Sequence, residues 1–295
     1  MTEHYRAGFT ALLGRPSVGK SALVNTLTGY KTSIVSPLPQ TTRNTIRGIV
    51  TREEGQVIFL DTPGLHKSDK KFNHYMMDAA KTAAADADAV LYVTDLSRPV
   101  GEEEKDAVKL LAAFDKPKLI ALNKIDKQEA RFNLSAYFEF LDVFLPGVER
   151  VEISAQKQIN IDKLFKQLLA LMPEAAPLYD NDIYTDQPPA FRIAETLREK
   201  TIANLREEVP HSVYVEVADL EMHGNKLWAR CFIMTEREQQ KGMIIGRDGL
   251  TLRKIRVEAL KELKTLFPYP VELDIKVKVD AGWRKNDRRL KALFI

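Results

Sequence analysis

Two glycines, a lysine and a serine in the run Gly14-Arg15-Pro16-Ser17-Val18-Gly19-Lys20-Ser21 have the spacing GxxxxGK[ST]. Such a loop turns its backbone N–H groups inward around a phosphate, because the glycines remove Cβ atoms from the path. A helix opening near Lys20 would add the positive end of its dipole. Lys20 is expected to reach the outer phosphates, and the Ser21 hydroxyl to ligate Mg²⁺. Further on comes Asp61-Thr62-Pro63-Gly64. Asp61 is expected to hold Mg²⁺ through water, and the Gly64 N–H to approach a γ-phosphate. Asn123-Lys124-Ile125-Asp126 then selects the base. Guanine presents two adjacent donors, a ring N–H and an exocyclic amine, which one carboxylate accepts together; adenine has no such pair. Asp126 therefore argues for GTP or GDP and against ATP. Asn123 would bond the other edge of the base and brace the loop, while the Lys124 stem lies along the ring face. Ser154-Ala155-Gln156 supplies small residues, so that a backbone N–H can reach the guanine carbonyl.

Hydrolysis needs an in-line water and neutralisation of spreading charge. Between the first two motifs lies Gln40-Thr41-Thr42-Arg43. A hydroxyl in this segment would complete the Mg²⁺ shell when a γ-phosphate is present, as in order–disorder switches. Thr42 is chosen over Thr41, giving Ser21, Thr42 and Asp61 as the metal set. Ras-like enzymes place a glutamine directly after the Asp-x-x-Gly motif. Here that residue is Leu65. Leucine cannot orient water, so slow intrinsic hydrolysis is expected. His66, Arg43, a monovalent cation or a bound partner would have to assist.

These motifs fall just after apolar runs, where an open parallel sheet keeps its ligand sites. The runs Ala7–Leu13, Gln56–Leu60, Ala89–Thr94, Lys118–Leu122 and Val148–Ile153 read as strands. Helical patterns alternate with them near Lys20 and over Phe72–Ala85, Glu102–Phe114, Leu134–Phe144 and Ile161–Leu171. Glu54-Gly55 marks a hairpin with Asn44–Arg52. The alternation predicts an α/β domain with a mostly parallel sheet and helices on both faces. Residues 173–189 hold four prolines, four acids and no basic residue. They read as a linker. The expected division is a nucleotide-binding domain over 1–172, the linker, and a second domain over 190–295 with a short C-terminal tail.

The second unit has another rhythm. Val213, Val215 and Val217 alternate, Leu227–Met234 follows the turn His223-Gly224-Asn225, and Val271, Leu273, Ile275, Val277 and Val279 share one face. Phe191–Leu205 reads as a helix, and Leu252, Ile255, Ala259 and Leu263 mark another. The order predicts a smaller α+β unit with helices on a three-stranded sheet. Its chemistry lies at Gly246-Arg247-Asp248-Gly249, a Gly-x-x-Gly loop that lets a nucleic-acid backbone approach closely. Ile244 or Ile245 would line an apolar base groove, Arg247 would face phosphate, and Arg253 and Lys254 follow on the next helix. Asp248 is expected to cap that helix. Lys241–Lys264 holds seven basic and three acidic residues, and Lys276–Lys291 seven and two, which together read as an RNA-facing rim.

Composition narrows the classes. The chain has 295 residues, 44% apolar and 29% charged, enough for about two domains. Gly and Pro are 14 each, which excludes collagen-like and wholly disordered classes. The one cysteine, Cys231, excludes a disulfide framework and a cysteine-based zinc site. No apolar run is long enough for a transmembrane helix, and the first residues do not read as a signal peptide. A cytoplasmic location is expected.

The five motifs of the first unit together resemble the translation-factor class of P-loop GTPases, and within it the Era family of bacterial ribosome-assembly GTPases. Residues 190–281 resemble a type II KH domain, and Trp283-Arg-Lys-Asn-Asp-Arg-Arg resembles that family's short terminal helix. The resemblance implies a GTPase that binds the 3′ region of 16S rRNA and the 30S precursor, with GTP favouring the RNA-competent state. Several relatives carry Asn where Ser17 stands, and that Asn helps hold potassium beside the phosphates. Serine brings no amide carbonyl, so potassium stimulation is left open. Three rival readings stand beside this one: an RNA-binding module with a nearly inactive GTP switch, a membrane-associated cell-cycle GTPase touching the inner face of the cell membrane, and a small-molecule kinase. Asn123 and Asp126 speak against the kinase, as does the lack of a lid-like basic segment.

Overall fold

The computed structural model describes residues 5–36, 41–65, 71–205 and 209–293. They form two compact units, the first running to Asp186 and the second from Gln187 to Ala292. In the first, chain order is β1 (Arg6–Leu13), α1 (Lys20–Thr28), β2 (Ile46–Arg52), β3 (Gly55–Asp61), α2 (Lys71–Asp86), β4 (Ala89–Asp95), α3 (Glu102–Ala112), β5 (Lys118–Asn123), α4 (Ala130–Phe144), β6 (Glu149–Glu152) and α5 (Ile161–Ala170). The strands line up as β2-β3-β1-β4-β5-β6, with β2 antiparallel and the rest parallel.

Every residue of β3 and β4 is buried, as expected of strands covered on both faces. One core lies under α2, α3 and α4 and includes Ala80, Ala84, Val108, Leu111, Tyr137 and Leu141. The other lies under α1 and α5. In α5, Ile161, Leu164, Phe165, Leu168 and Leu169 recur at the helical period, and all five are buried. Parallel register brings the strand ends level: Leu12 pairs with Asp61, and Asp95 with Asn123. The phosphate-loop, metal and base-reading motifs are thereby gathered at one edge of the sheet. The fourth helix begins at Ala130 rather than Leu134. Its first turn carries Phe132, 80% exposed, which breaks the apolar period.

The acid-rich segment read as a linker does not hang free. Residues 173–186 run along the first unit. Gln56 is fully buried, and its side-chain carbonyl accepts from Leu178 N at 2.8 Å and Tyr179 N at 3.0 Å. Its amide nitrogen donates to Tyr179 O at 2.9 Å and Thr51 Oγ1 at 2.8 Å. Beyond it, Ile49 N donates to Tyr184 O at 2.9 Å, the Tyr184 ring stacks on Tyr30 at 4.1 Å, and Arg47 pairs with Asp186 at 2.6 Å. The absence of basic residues in this segment is what suits it to the arginine on β2.

The second unit runs α6 (Pro189–Ala203), β7 (Tyr214–His223), β8 (Lys226–Thr235), α7 (Glu238–Ile245), α8 (Leu250–Leu266), β9 (Val271–Val279) and α9 (Asp287–Leu293). β7 and β8 are antiparallel across the two-residue turn Gly224-Asn225, and β8 and β9 are parallel. Ile193, Leu197, Ile244, Ile255, Ala259 and Leu263 pack on the sheet beside Cys231. The alternating face of β9 is only half covered: Leu273 is buried, while Val271, Ile275 and Val277 are partly so. Trp283, fully buried, donates from Nε1 to Ser212 O at 2.9 Å and meets the Tyr214 ring edge-on. The tail motif is thus an anchor as well as the approach to α9.

Gln56→Leu keeps the volume but strands two N–H groups and a carbonyl of the strap. Unfolding in urea should show a loss of about 2–3 kcal/mol. Limited proteolysis should cut first within residues 178–186.

Candidate functional site

A cavity of about 550 Å³ lies at the strand ends, lined by Ser17, Lys20, Ser21, Thr42, Gly64, Asn123, Lys124, Asp126 and Ala155 among others. The phosphate loop closes it on one side. Lys20 starts α1, and its Nζ donates to Gly14 O at 3.0 Å and Arg15 O at 3.2 Å. Burial pushes the Lys20 ammonium down to about 8, against the pull of the Asp61 carboxylate. Gly64 packs against the loop from the third strand. A Cβ there would stand 2.7 Å from Pro16 N, so only glycine permits the approach. Leu65 N donates to Gly14 O at 3.0 Å.

Arg15 was expected among the nucleotide contacts, but its side chain turns away. It forms an ion pair with Glu104 and donates to Tyr137 Oη at 3.3 Å. Tyr92 Oη donates to the same carboxylate at 2.5 Å. The reason is the buried carboxylate on α3, which needs a cation. Val18 likewise turns its side chain into the core under α1. The loop offers a ligand its backbone at these two positions.

Ser21 Oγ and Thr42 Oγ1 are 2.9 Å apart. Asp61 is fully buried nearby, and neither carboxylate oxygen makes a hydrogen bond of ordinary geometry. Burial raises its pKa, while Lys20 and the nearby hydroxyls of Ser21 and Ser33 favour the charged form. Two hydroxyls beside an unsatisfied buried carboxylate are hard oxygen donors suited to Mg²⁺. Among the described residues no three His, Cys, Asp or Glu gather to hold a metal. Mg²⁺ needs no such cage, because it keeps water and shares phosphate oxygens. Ser33 was not foreseen, since an isolated serine in a loop carries no signal.

The base side is held by paired bonds. Asn123 Nδ2 donates to Val18 O at 2.8 Å, and its Oδ1 accepts from Ala155 N at 3.1 Å. Asn123 therefore braces two loops and spends both ends of its amide on protein. Ser154 Oγ donates to Asp126 Oδ1 at 2.6 Å, which fixes the carboxylate plane. Lys124 lines the cavity with φ of +69°. Thr26 Oγ1 donates to Ala155 O at 2.9 Å, a brace that no motif announced.

Of the hydrolysis candidates, Leu65 is buried in the core and Arg43 lies over the Phe72 ring at 5.2 Å. Neither side chain reaches the cavity lining. His66 lies outside the described residues.

In the second unit the 246–249 loop joins α7 to α8. Gly246 has φ of +73° and ψ of 175°, and a Cβ would strike Thr251 Oγ1 at 2.2 Å. Arg247, Asp248, Arg253 and Lys254 are exposed. Ile244 is fully buried in the core, which removes it from any groove and leaves half-buried Ile245. Asp248 does not cap α8. It is itself left-handed, and Gly249 occupies the cap position without a side-chain bond. Leu250, 60% exposed at the start of α8, was not foreseen.

The lowered pKa of Lys20 couples binding to pH. A phosphate beside the ammonium raises its pKa, so nucleotide binding near pH 8 must take up a proton. Affinity should be full below pH 8 and fall as pH rises above it. Calorimetry of GDP binding without Mg²⁺ at pH 8, in two buffers of different ionisation enthalpy, should show net proton uptake. Lys20→Met should abolish that uptake.

Residues 9–124 match the family of 50S ribosome-binding GTPases, and residues 208–284 match the KH domain. The chain is 46% identical to GTPase Era of Treponema denticola over 292 residues, covering 97% of this chain and 99% of the relative. It is 40% identical to GTPase Era of Borreliella burgdorferi, over 98% and 99%. A crystal structure of Era with MgGDPNP and nucleotides 1506–1542 of 16S rRNA superposes with a TM-score of 0.93 at 35% identity, covering 98% of both chains. An Aquifex aeolicus Era variant bound to GDP·AlF4⁻ gives 0.91 at 35% identity, over 97% and 98%. Likeness of this extent, along nearly the whole of each relative, makes this chain a member of the Era family of GTPases.

Proposed function

We propose that this GTPase binds the 3′ region of 16S rRNA through its second unit and acts in assembly of the 30S subunit in the cytoplasm. GTP with Mg²⁺ on Ser21, Thr42 and Asp61 would hold the RNA-competent state. The observation that carries the reading is the exposed Arg247 on a glycine-framed loop. Exposed Arg253, Lys254, Arg256, Lys261 and Lys264 follow it on α8. Cations along one helix attract a phosphate chain, and the open space around Gly249 lets it come close. The similar Era structure holds an rRNA fragment of this region. Half-buried Ile245 and exposed Leu250 give unstacked bases an apolar contact.

Arg247→Asp places two carboxylates side by side where a phosphate must pass. At ~4 Å and an effective dielectric of ~20, each like-charge contact costs up to a few kcal/mol before screening. Fluorescence anisotropy with a single-stranded 16S rRNA 3′-end oligonucleotide at fixed salt should show at least a tenfold loss, as an order-of-magnitude figure. GDP binding should be unchanged. Parental RNA affinity would move the binding surface off this loop.

A second reading is favoured by Leu65, buried where Ras-like enzymes hold a water-orienting glutamine. In it the nucleotide serves as a switch that turns over only when RNA or the ribosome precursor assists. Single-turnover hydrolysis with and without the oligonucleotide separates the two. RNA-stimulated turnover places the missing group in the partner, and an equal rate in both places it in this chain.

A further inference from the structure

The lysine of the base-reading loop depends on a carboxylate that belongs to none of the nucleotide motifs. Asp95 ends β4, and its side chain is fully buried. Its Oδ2 is 2.6 Å from Lys124 Nζ, and the same ammonium donates to Ser17 O at 3.0 Å. The other oxygen, Oδ1, accepts from Ser97 N at 2.9 Å and Ser97 Oγ at 2.5 Å. One carboxylate oxygen therefore holds a turn and the other holds a cation. Among the described residues, the one further charge that faces it is Arg98, whose Nε is 3.6 Å from Oδ2 on a half-exposed side chain.

A lysine stem is flexible, and holding it along a purine face costs rotamer freedom unless the far end is anchored. A neutral carbonyl alone is a weak anchor. A buried carboxylate at hydrogen-bond distance is a strong one, because charge-assisted bonds gain most where water is excluded. Parallel register supplies it, since Asp95 stands beside Asn123, one residue before Lys124.

We propose that Asp95 is a positioning residue for guanine-nucleotide binding: through Lys124 it fixes the stem across the base and, through the same ammonium, the phosphate loop at Ser17. Lys124 lines the cavity and Asp95 does not, so Asp95 acts only through the lysine.

The test is the dissociation rate of mant-GDP from the full chain by stopped flow, with thermal melts alongside. Asp95→Asn keeps an acceptor for Ser97 and removes the charge facing Lys124, and should speed dissociation at least tenfold. Ser97→Ala removes a turn contact and leaves the ion pair, and should change the rate less than twofold. Lys124→Met keeps the apolar stem without the ammonium. In that background Asp95→Asn should have no further effect, within a factor of two. The double variant removes both charges, so the comparison stands even if Asp95→Asn alone leaves a stranded ammonium and does not fold. Parental dissociation in Asp95→Asn overturns the proposal. So does a further tenfold acceleration when Asp95→Asn is added to Lys124→Met, which would show Asp95 acting by another route. A Ser97→Ala rate as fast as Asp95→Asn would reduce its role to the turn.

Discussion

A loop that binds phosphate with its backbone N–H groups must be held by something other than those groups. Here it is held by its carbonyls. Gly14 O accepts from Leu65 N and Lys20 Nζ, Arg15 O from Lys20 Nζ, Ser17 O from Lys124 Nζ, Val18 O from Asn123 Nδ2 and Gly19 O from Leu23 N. The donors come from three different parts of the unit: the loop's own helix, the residue that follows the Asp61–Gly64 turn, and the two residues that open the base-reading loop. The base-reading motif and the residue after Gly64 thus double as clamps on the phosphate loop. The price of preorganising an anion site is met in positions far apart in sequence.

Behind the loop the clamps rest on buried charge. Arg15 and Glu104 form an ion pair almost without solvent, with side chains 8% and 1% exposed. Tyr92 and Tyr137 stand beside it. Burial and the neighbouring carboxylate push Tyr137 up to about 12 and Tyr92 well above the ordinary phenol range, so both phenols keep their protons and can donate. Removing one partner of such a pair strands the other and costs about 3–5 kcal/mol, whereas the intact pair adds little net stability. Its value here lies in direction. It ties the loop to α3 and α4, which form one wall of the core.

The 246–249 loop follows the opposite logic. It is short, its charged residues are exposed, and its shape is set by two glycines and by the helices it joins. Gln240 Oε1 accepts from Glu236 N and Arg237 N, which fixes the start of α7 from outside. Such a loop suits a long polyanion, whose attraction is spread over many cations. Between the two chemistries, residues 178–186 lie against Tyr30 and β2, on either side of the segment that carries Thr42.

Several things were fixed by residue type and spacing alone. Gly14–Ser21, Asp61–Gly64 and Asn123–Asp126 require specific atoms at specific intervals, and their period sits on strands and helices that the apolar pattern marks plainly. The order of elements in both units follows from the same periods. What the sequence could not settle was which way a side chain turns when it has a choice. Arg15 sits inside the phosphate motif yet points to Glu104, because a buried carboxylate 89 positions later claims it. Ile244 and Ile245 are equivalent in the sequence, and the helix phase buries one and leaves the other half-open. Asp248 has the right chemistry for a cap, but the backbone of the loop gives that place to Gly249. The strap over 173–186 looked like a tether because composition reports the absence of helix and strand signal, and is silent on a buried glutamine that binds backbone. Local patterns determine elements and motifs; pairings between distant residues are decided only when packing brings them together.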